Sequence, residues 1–309
     1  MRSTSTSTST PTARSWRWDA LLLGVVTIWG INFPLLKGVL ELMHPHVVNI
    51  FRFVISALVL GLLHARAQRE TGASFFAPMR THGRQIIALG LLGYLLYQFC
   101  FILGIDYTTS GNAALIMASA PLWTALIGQV QGADRLNTLG WCGLLLSLMG
   151  TACVILFGTR EISLSSDVFR GNLIMLTAAL FWALYTVLSK PVLKEVRPIS
   201  LTFLSLLFML PFLTALGIPY VQAVSWPDIG VWVWWALLYS GGLSIGVAVV
   251  LWNLAVQRIG PSQTAAYSNL VPLIALITGV LFLDEAVTAF QVAGGVILIG
   301  GLVLMRRAR

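Results

Sequence analysis

Trp29, Asn32 and Phe33 stand at i, i+3 and i+4 within one long apolar run, so on a helix they share a face. Trp182, Tyr185 and Thr186 occupy the matching positions 153 residues later. A second stripe is Tyr94, Gln98 and Phe101, with Tyr97 beside it; other runs add Asn112, Ser119, Ser240, Ser244, Asn253, Gln263, Tyr267 and Asn269. Neutral hydrogen-bonding groups interleaved with aromatic rings suit a small amphipathic solute, held by stacking and by polar contacts. The competing reading is plain interhelical hydrogen bonding, the usual fate of buried polar groups in a membrane. The candidate substrate contacts are Trp29, Asn32, Tyr94, Tyr97, Gln98, Phe101, Asn112, Trp182, Tyr185, Ser244 and Tyr267.

The charged residues frame that pocket by their positions. Arg52 lies a few residues into its run and needs a partner or water; packing through backbone carbonyls is the expected use, with a functional role as the alternative. Lys37 ends the first run and is expected to snorkel, with attraction of a carboxylate as the alternative. The acids map to loops or run ends, so the pocket is expected to be uncharged and to lack a proton relay at mid-depth. No Walker sequence, Ser-His-Asp set or metal-ligand cluster occurs, so neither an enzyme, a cofactor nor a metal centre is expected. Cys100, Cys142 and Cys153 fall inside apolar runs without paired spacing and read as small buried hydrophobes.

The elements that must position these side chains follow from composition. Hydrophobic residues make up 57% of the chain and charged residues 10%, against roughly 25% charged in a soluble domain. The workable solvent is a bilayer, whose core of about 30 Å needs roughly 20 apolar residues per helix. Ten such runs are present, near 19–40, 47–65, 85–106, 109–131, 137–157, 171–189, 199–219, 229–253, 262–283 and 287–305. They are continuously apolar and about twice the length of barrel strands, so the fold class is an all-α integral membrane protein with ten transmembrane helices. With the N-terminus in the cytoplasm, fifteen of the nineteen Lys and Arg fall on the inner side. That asymmetry places both termini in the cytoplasm and explains the net charge of +8 without nucleic acid.

The runs are also copied. Pro121, Gly128, Asp134, Gly143 and Gly150 are answered by Pro272, Gly279, Glu285, Gly294 and Gly301 at an offset of 151. Trp29, Lys37 and Pro45 are answered by Trp182, Lys190 and Pro198 at an offset of 153. The chain therefore divides into a low-complexity cytoplasmic tail (1–18), a first five-helix repeat (19–158), an external linker (159–170) and a second repeat (171–309). Five is odd, so the second repeat enters the membrane inverted. Inverted repeats are the architecture of many secondary transporters, with the site near the midplane between them. Pro121 and Pro272 free a carbonyl and are candidate hinges. The spaced glycines allow close helix contact, which assigns runs five and ten to the scaffold.

Trp29-Gly30-x-Asn32-Phe33 with Lys37, Arg52 after Pro45, and the two Pro…Gly…Asp/Glu…Gly…Gly hairpins resemble the EamA-type branch of the drug/metabolite transporter superfamily. The resemblance covers roughly Ala20 to Met305. It implies ten helices in two inverted repeats and export of metabolites, commonly amino acids, across a bacterial inner membrane. Within the branch the chain looks most like exporters of amino acids, aromatic ones included. The resemblance also implies a cavity lined chiefly by runs one, three, four, six, eight and nine. Small multidrug relatives carry a glutamate in their first span, and here none precedes Glu41; export of cationic drugs is not expected. The expectation is a secondary transporter working by alternating access, with a small molecule and the lipid bilayer as partners and a monomer as a plausible state. The rivals are an uncoupled channel or facilitator, a carrier of another neutral metabolite, and a lipid-modifying membrane enzyme.

Overall fold

Long apolar runs in lipid must satisfy every backbone polar group within themselves, and helices are the open-ended solution. The computed structural model describes residues 15–72, 74–108, 113, 116–132, 136–156, 166–274, 277–278 and 288–307, and no strand occurs among them. The tail before Ser15 and most of the linker between the halves lie outside the described residues.

The first half holds α1 (Ser15–Leu40), α2 (Pro45–Thr71), α3 (Ala77–Gly90), a π-helical segment (Leu91–Leu96) and α4 (Tyr97–Tyr107). It ends with α5 (Ala120–Val130) and α6 (Thr138–Leu156). The second half holds α7 (Ser166–Val192), α8 (Pro198–Gly217), α9 (Val231–Leu238), a π segment (Tyr239–Val247) and α10 (Ala248–Ile259). It closes with α11 (Pro261–Ala266), a 3-10 turn (Tyr267–Leu270) and α12 (Ala289–Arg307). Pro45 and Pro198 each open a helix, where a missing N–H costs nothing.

Among the described residues, six segments are long and apolar enough to cross a membrane: Trp16–Leu40, Pro45–Glu70, Ala77–Tyr107, Phe169–Val192, Pro198–Ala223 and Val231–Ile259. Two shorter apolar helices, Thr138–Cys153 and Val292–Met305, accompany them. Leu58, Leu62, Met149, Trp235 and Val296 are each more than 60% exposed. Apolar side chains that point outward as well as inward are what a helix in lipid requires.

Packing repeats across the halves. A Cβ on Gly90 would lie 2.7 Å from the Ser205 carbonyl oxygen, and one on Gly241 would lie 2.5 Å from that of Arg52. Those two contacts are copies, since Gly241 and Ser205 answer Gly90 and Arg52 at the two offsets. In the same way Gly143 backs onto Gly301 and Gly150 onto Gly294. Position rises along α6 as it falls along α12, so these matched helices run antiparallel. The π segments also coincide, because Leu91–Leu96 maps onto the last six residues of Tyr239–Val247 at an offset of 151.

The two lysines provide a third copy. Lys37 Nζ donates to the carbonyls of Ile105, Asp106 and Thr108 at 2.9, 3.1 and 3.3 Å. Lys190 Nζ donates to Val256 at 3.0 Å and Gln257 at 3.4 Å. Each closes the C-terminal end of the helix after a π segment, where unsatisfied carbonyls concentrate negative charge. Lys37 is thus a cap rather than a snorkelling side chain.

Candidate functional site

Between the halves lies a narrow cavity of about 60 Å³, whose wall includes Trp29, Asn32, Arg52, Tyr97, Gln98, Phe101, Trp182 and Ser244. Several lining positions are repeat copies of one another: Trp29 and Trp182, Gln98 and Val249, Met117 and Ser268, Ala120 and Val271. The duplicated helices therefore contribute the same positions to one cavity.

Aromatic rings fix the shape. The Trp29 indole meets Trp182 edge-on at 5.5 Å and Trp252 at 5.0 Å, while Trp182 and Trp252 are 5.6 Å apart. Tyr97 packs 4.9 Å from Trp182, and Phe33 meets Phe101 edge-on at 5.5 Å. Such offset and edge contacts are the favourable ones for π systems. The second π segment adds a directional contact, because Trp29 Nε1 donates to the Ser244 carbonyl at 3.2 Å. A π bulge turns a carbonyl away from the regular ladder and frees it for such a donor.

The polar groups are unevenly shared. Arg52 is 1% exposed, lines the cavity, and donates from Nε to Ser240 Oγ at 2.7 Å and from Nη1 to Asn49 Oδ1 at 2.9 Å. Asn49 in turn donates to the Gln98 carbonyl at 3.4 Å. The sequence reading of a pocket without charge, and of Arg52 packed on backbone carbonyls, is corrected here. A guanidinium reaches this wall because the close Gly241 approach brings Ser240 within its length. Among the described residues no carboxylate pairs with Arg52; His82 Nε2 meets Glu195 at 3.2 Å, away from the cavity. Asn32 Oδ1 and Gln98 Oε1 are buried with no hydrogen-bond partner.

The predicted contacts divide four ways. Trp29, Asn32, Tyr97, Gln98, Phe101, Trp182 and Ser244 meet at the cavity. Tyr94 and Tyr185 stand behind its wall: Tyr185 stacks on Trp182 at 5.4 Å, accepts from Asn253 Nδ2 at 2.7 Å and meets Tyr94 edge-on at 6.1 Å. Tyr267 is drawn elsewhere, donating its hydroxyl to Asp19 in a larger, mostly apolar crevice with Leu270, Leu302 and Met305. Asn112 lies outside the described residues. Pro121 sits in the first turn of α5 behind the turn at Ala118-Ser119, and Pro272 directly follows the 3-10 turn and Val271. Both prolines therefore mark breaks in the α-helix. Sequence reasoning missed Trp252 and underrated Arg52. Trp252 is the copy of Phe101 at the offset already in hand, so the repeat itself carried that signal.

The profile of the EamA-like transporter family matches residues 16–156 and 169–307. A relative from Archaeoglobus fulgidus named "Uncharacterized transporter" is 30% identical, over 92% of this chain and 95% of its own. "Uncharacterized transporter YyaM" of Bacillus subtilis is 27% identical over 91% of both chains. "Probable amino-acid metabolite efflux pump" of Escherichia coli is 27% identical, over 91% of this chain and 92% of its own. A solved structure described as "Crystal structure of protein" superposes with a TM-score of 0.76 at 17% identity, covering 94% of this chain and 97% of that one.

Proposed function

The chain belongs to the EamA-like transporter family, and from that premise we propose that it exports a small metabolite, an amino acid with an aromatic or large apolar side chain, by alternating access. The observation that carries this reading is the cavity between the halves, walled by repeat copies and lined by indoles beside a few polar groups. Similarity to a relative named as an amino-acid metabolite efflux pump supports the substrate class. We place the chain in a bacterial inner membrane as ten spans, with both termini cytoplasmic and the second five inverted. Antiparallel packing of the matched helices α6 and α12 supports the inversion.

At about 60 Å³ the cavity is well below the ~150 Å³ of an engineered core cavity that accepts a benzene ring. A whole amino acid needs the wall to open, which favours a carrier over a standing channel. Breaks at Pro121 and Pro272 are where such opening would concentrate. Purified protein in liposomes loaded with labelled phenylalanine, leucine, threonine or glutamate tests the reading. Saturable counterflow, strongest for phenylalanine and leucine, is the expected result; flux linear in concentration overturns the carrier, and no counterflow of any amino acid overturns the substrate class.

A further inference from the structure

Resting on that reading, we propose that Arg52 is the anchor for a substrate carboxylate, so that the cavity takes a free acid and discriminates against the same molecule with its carboxylate masked. A guanidinium offers five N–H groups. Arg52 commits two of its nitrogens, Nε to Ser240 and Nη1 to Asn49, and both partners are neutral. Nη2 and the second Nη1 proton remain, on a side chain that lines the cavity. A charge held away from water with no opposite charge is costly, and intramembrane cations pair or line a water-filled path. A bound carboxylate supplies the missing partner in the forked geometry that guanidinium favours.

The rest of the wall completes a zwitterion site. Asn32 Oδ1 and Gln98 Oε1 are both buried, both without partners, and both on residues that line the same cavity. Amide oxygens accept from an ammonium group without adding charge. Trp29, Trp182 and Tyr97 then face the remaining side chain with apolar ring surface. A single cation matches a singly charged carboxylate, whereas a phosphate dianion calls for a cluster of cations. Among the described residues, Arg52 is the one Lys or Arg lining this cavity. Ser240 and Asn49 act as positioning residues, fixing the guanidinium on two sides so that its free edge is held toward the cavity.

The test uses the full chain in liposomes with labelled phenylalanine, competed by unlabelled phenylalanine, phenylalaninamide, 3-phenylpropionate and phenethylamine. We expect phenylalanine to compete at least about tenfold better than phenylalaninamide, and 3-phenylpropionate better than phenethylamine. Arg52→Gln should lose at least about tenfold in kcat/KM for phenylalanine while its inhibition by phenylalaninamide stays unchanged, with partial recovery in Arg52→Lys. Ser205→Ala, the matched position outside the cavity, should transport like the unaltered protein. Equal competition by the acid and its amide overturns the anchor and leaves amino-acid export standing. Should no amino acid be carried, calorimetric titration of the same protein with 3-phenylpropionate and phenethylamine still decides, and equal or absent binding of both rejects the anchor. If Arg52→Gln does not insert, the competition series on the unaltered protein is sufficient either to support the anchor or to overturn it.

Discussion

In the first half α2 sets Arg52 against Ser240 and Gly241; at the matched place in the second half α8 sets Ser205 against Ile86 and Gly90. Ser205 Oγ donates to the Ile86 carbonyl at 3.0 Å and reaches nothing in the cavity. The backbone approach is the same in both, since each glycine lets a helix pass within van der Waals range. The side chains differ completely. Asn32 likewise answers Tyr185, and Phe101 answers Trp252, at their respective offsets. Duplication preserved what brings the helices together and left free which side chains reach the cavity, so the polar lining is lopsided within a symmetric frame.

The largest effects should come from positions where the halves are alike. Gly143→Val and Gly301→Val each place a side chain against partner backbone that a Cβ alone would meet at 2.5 and 2.4 Å. Overpacking against backbone has no cheap relief, so both variants should lose most of the folded protein recovered by size-exclusion chromatography. Loss in one half only would break the symmetry of the frame. Trp29→Ala and Trp182→Ala remove matched wall rings that touch each other at 5.5 Å. Each should lower kcat/KM for phenylalanine counterflow by about tenfold or more with normal insertion; unchanged flux in either removes that wall from the site.

Smaller and again paired, Lys37→Met and Lys190→Met strip the caps from α4 and α10. Each should cost about 1 kcal/mol, read as a few degrees in thermal unfolding in detergent, and a large difference between them would show that the two caps are not equivalent. The smallest effect separates the halves by pH. The N-caps of α2 and α8 are His44 and Arg197, also 153 residues apart. Burial holds the His44 imidazole below its ordinary value, partly offset by the Asp106 carboxylate, and its Nδ1 accepts from the His46 N–H at 3.3 Å. Because the native pKa is depressed, the unfolded chain takes up the proton first. Stability from this cap is present above about pH 6.5 and declines as pH falls below it. Arg197 makes no side-chain cap bond at the start of α8. His44→Asn should therefore flatten the pH dependence of hydrogen exchange at the start of α2 and leave that of α8 as it was.

The sequence by itself determined the helical class, the membrane setting, the duplication and the aromatic character of the cavity lining. Run length and charge placement answer directly to the thickness and polarity of a bilayer, and copied spacings are visible without knowing who touches whom. Trp29, Gln98 and Trp182 were therefore legible. Only the tertiary structure decided that Arg52 meets Ser240, 188 residues away, that Trp29 meets the Ser244 carbonyl, 215 residues away, and that Tyr267 leaves the cavity for Asp19. Periodicity says which face of a helix a residue occupies; which neighbour lies across that face depends on crossing geometry set by glycines and π segments on other helices. A buried cation reads as structural or functional according to that neighbour alone, which is why the charge in this pocket emerged only from the fold.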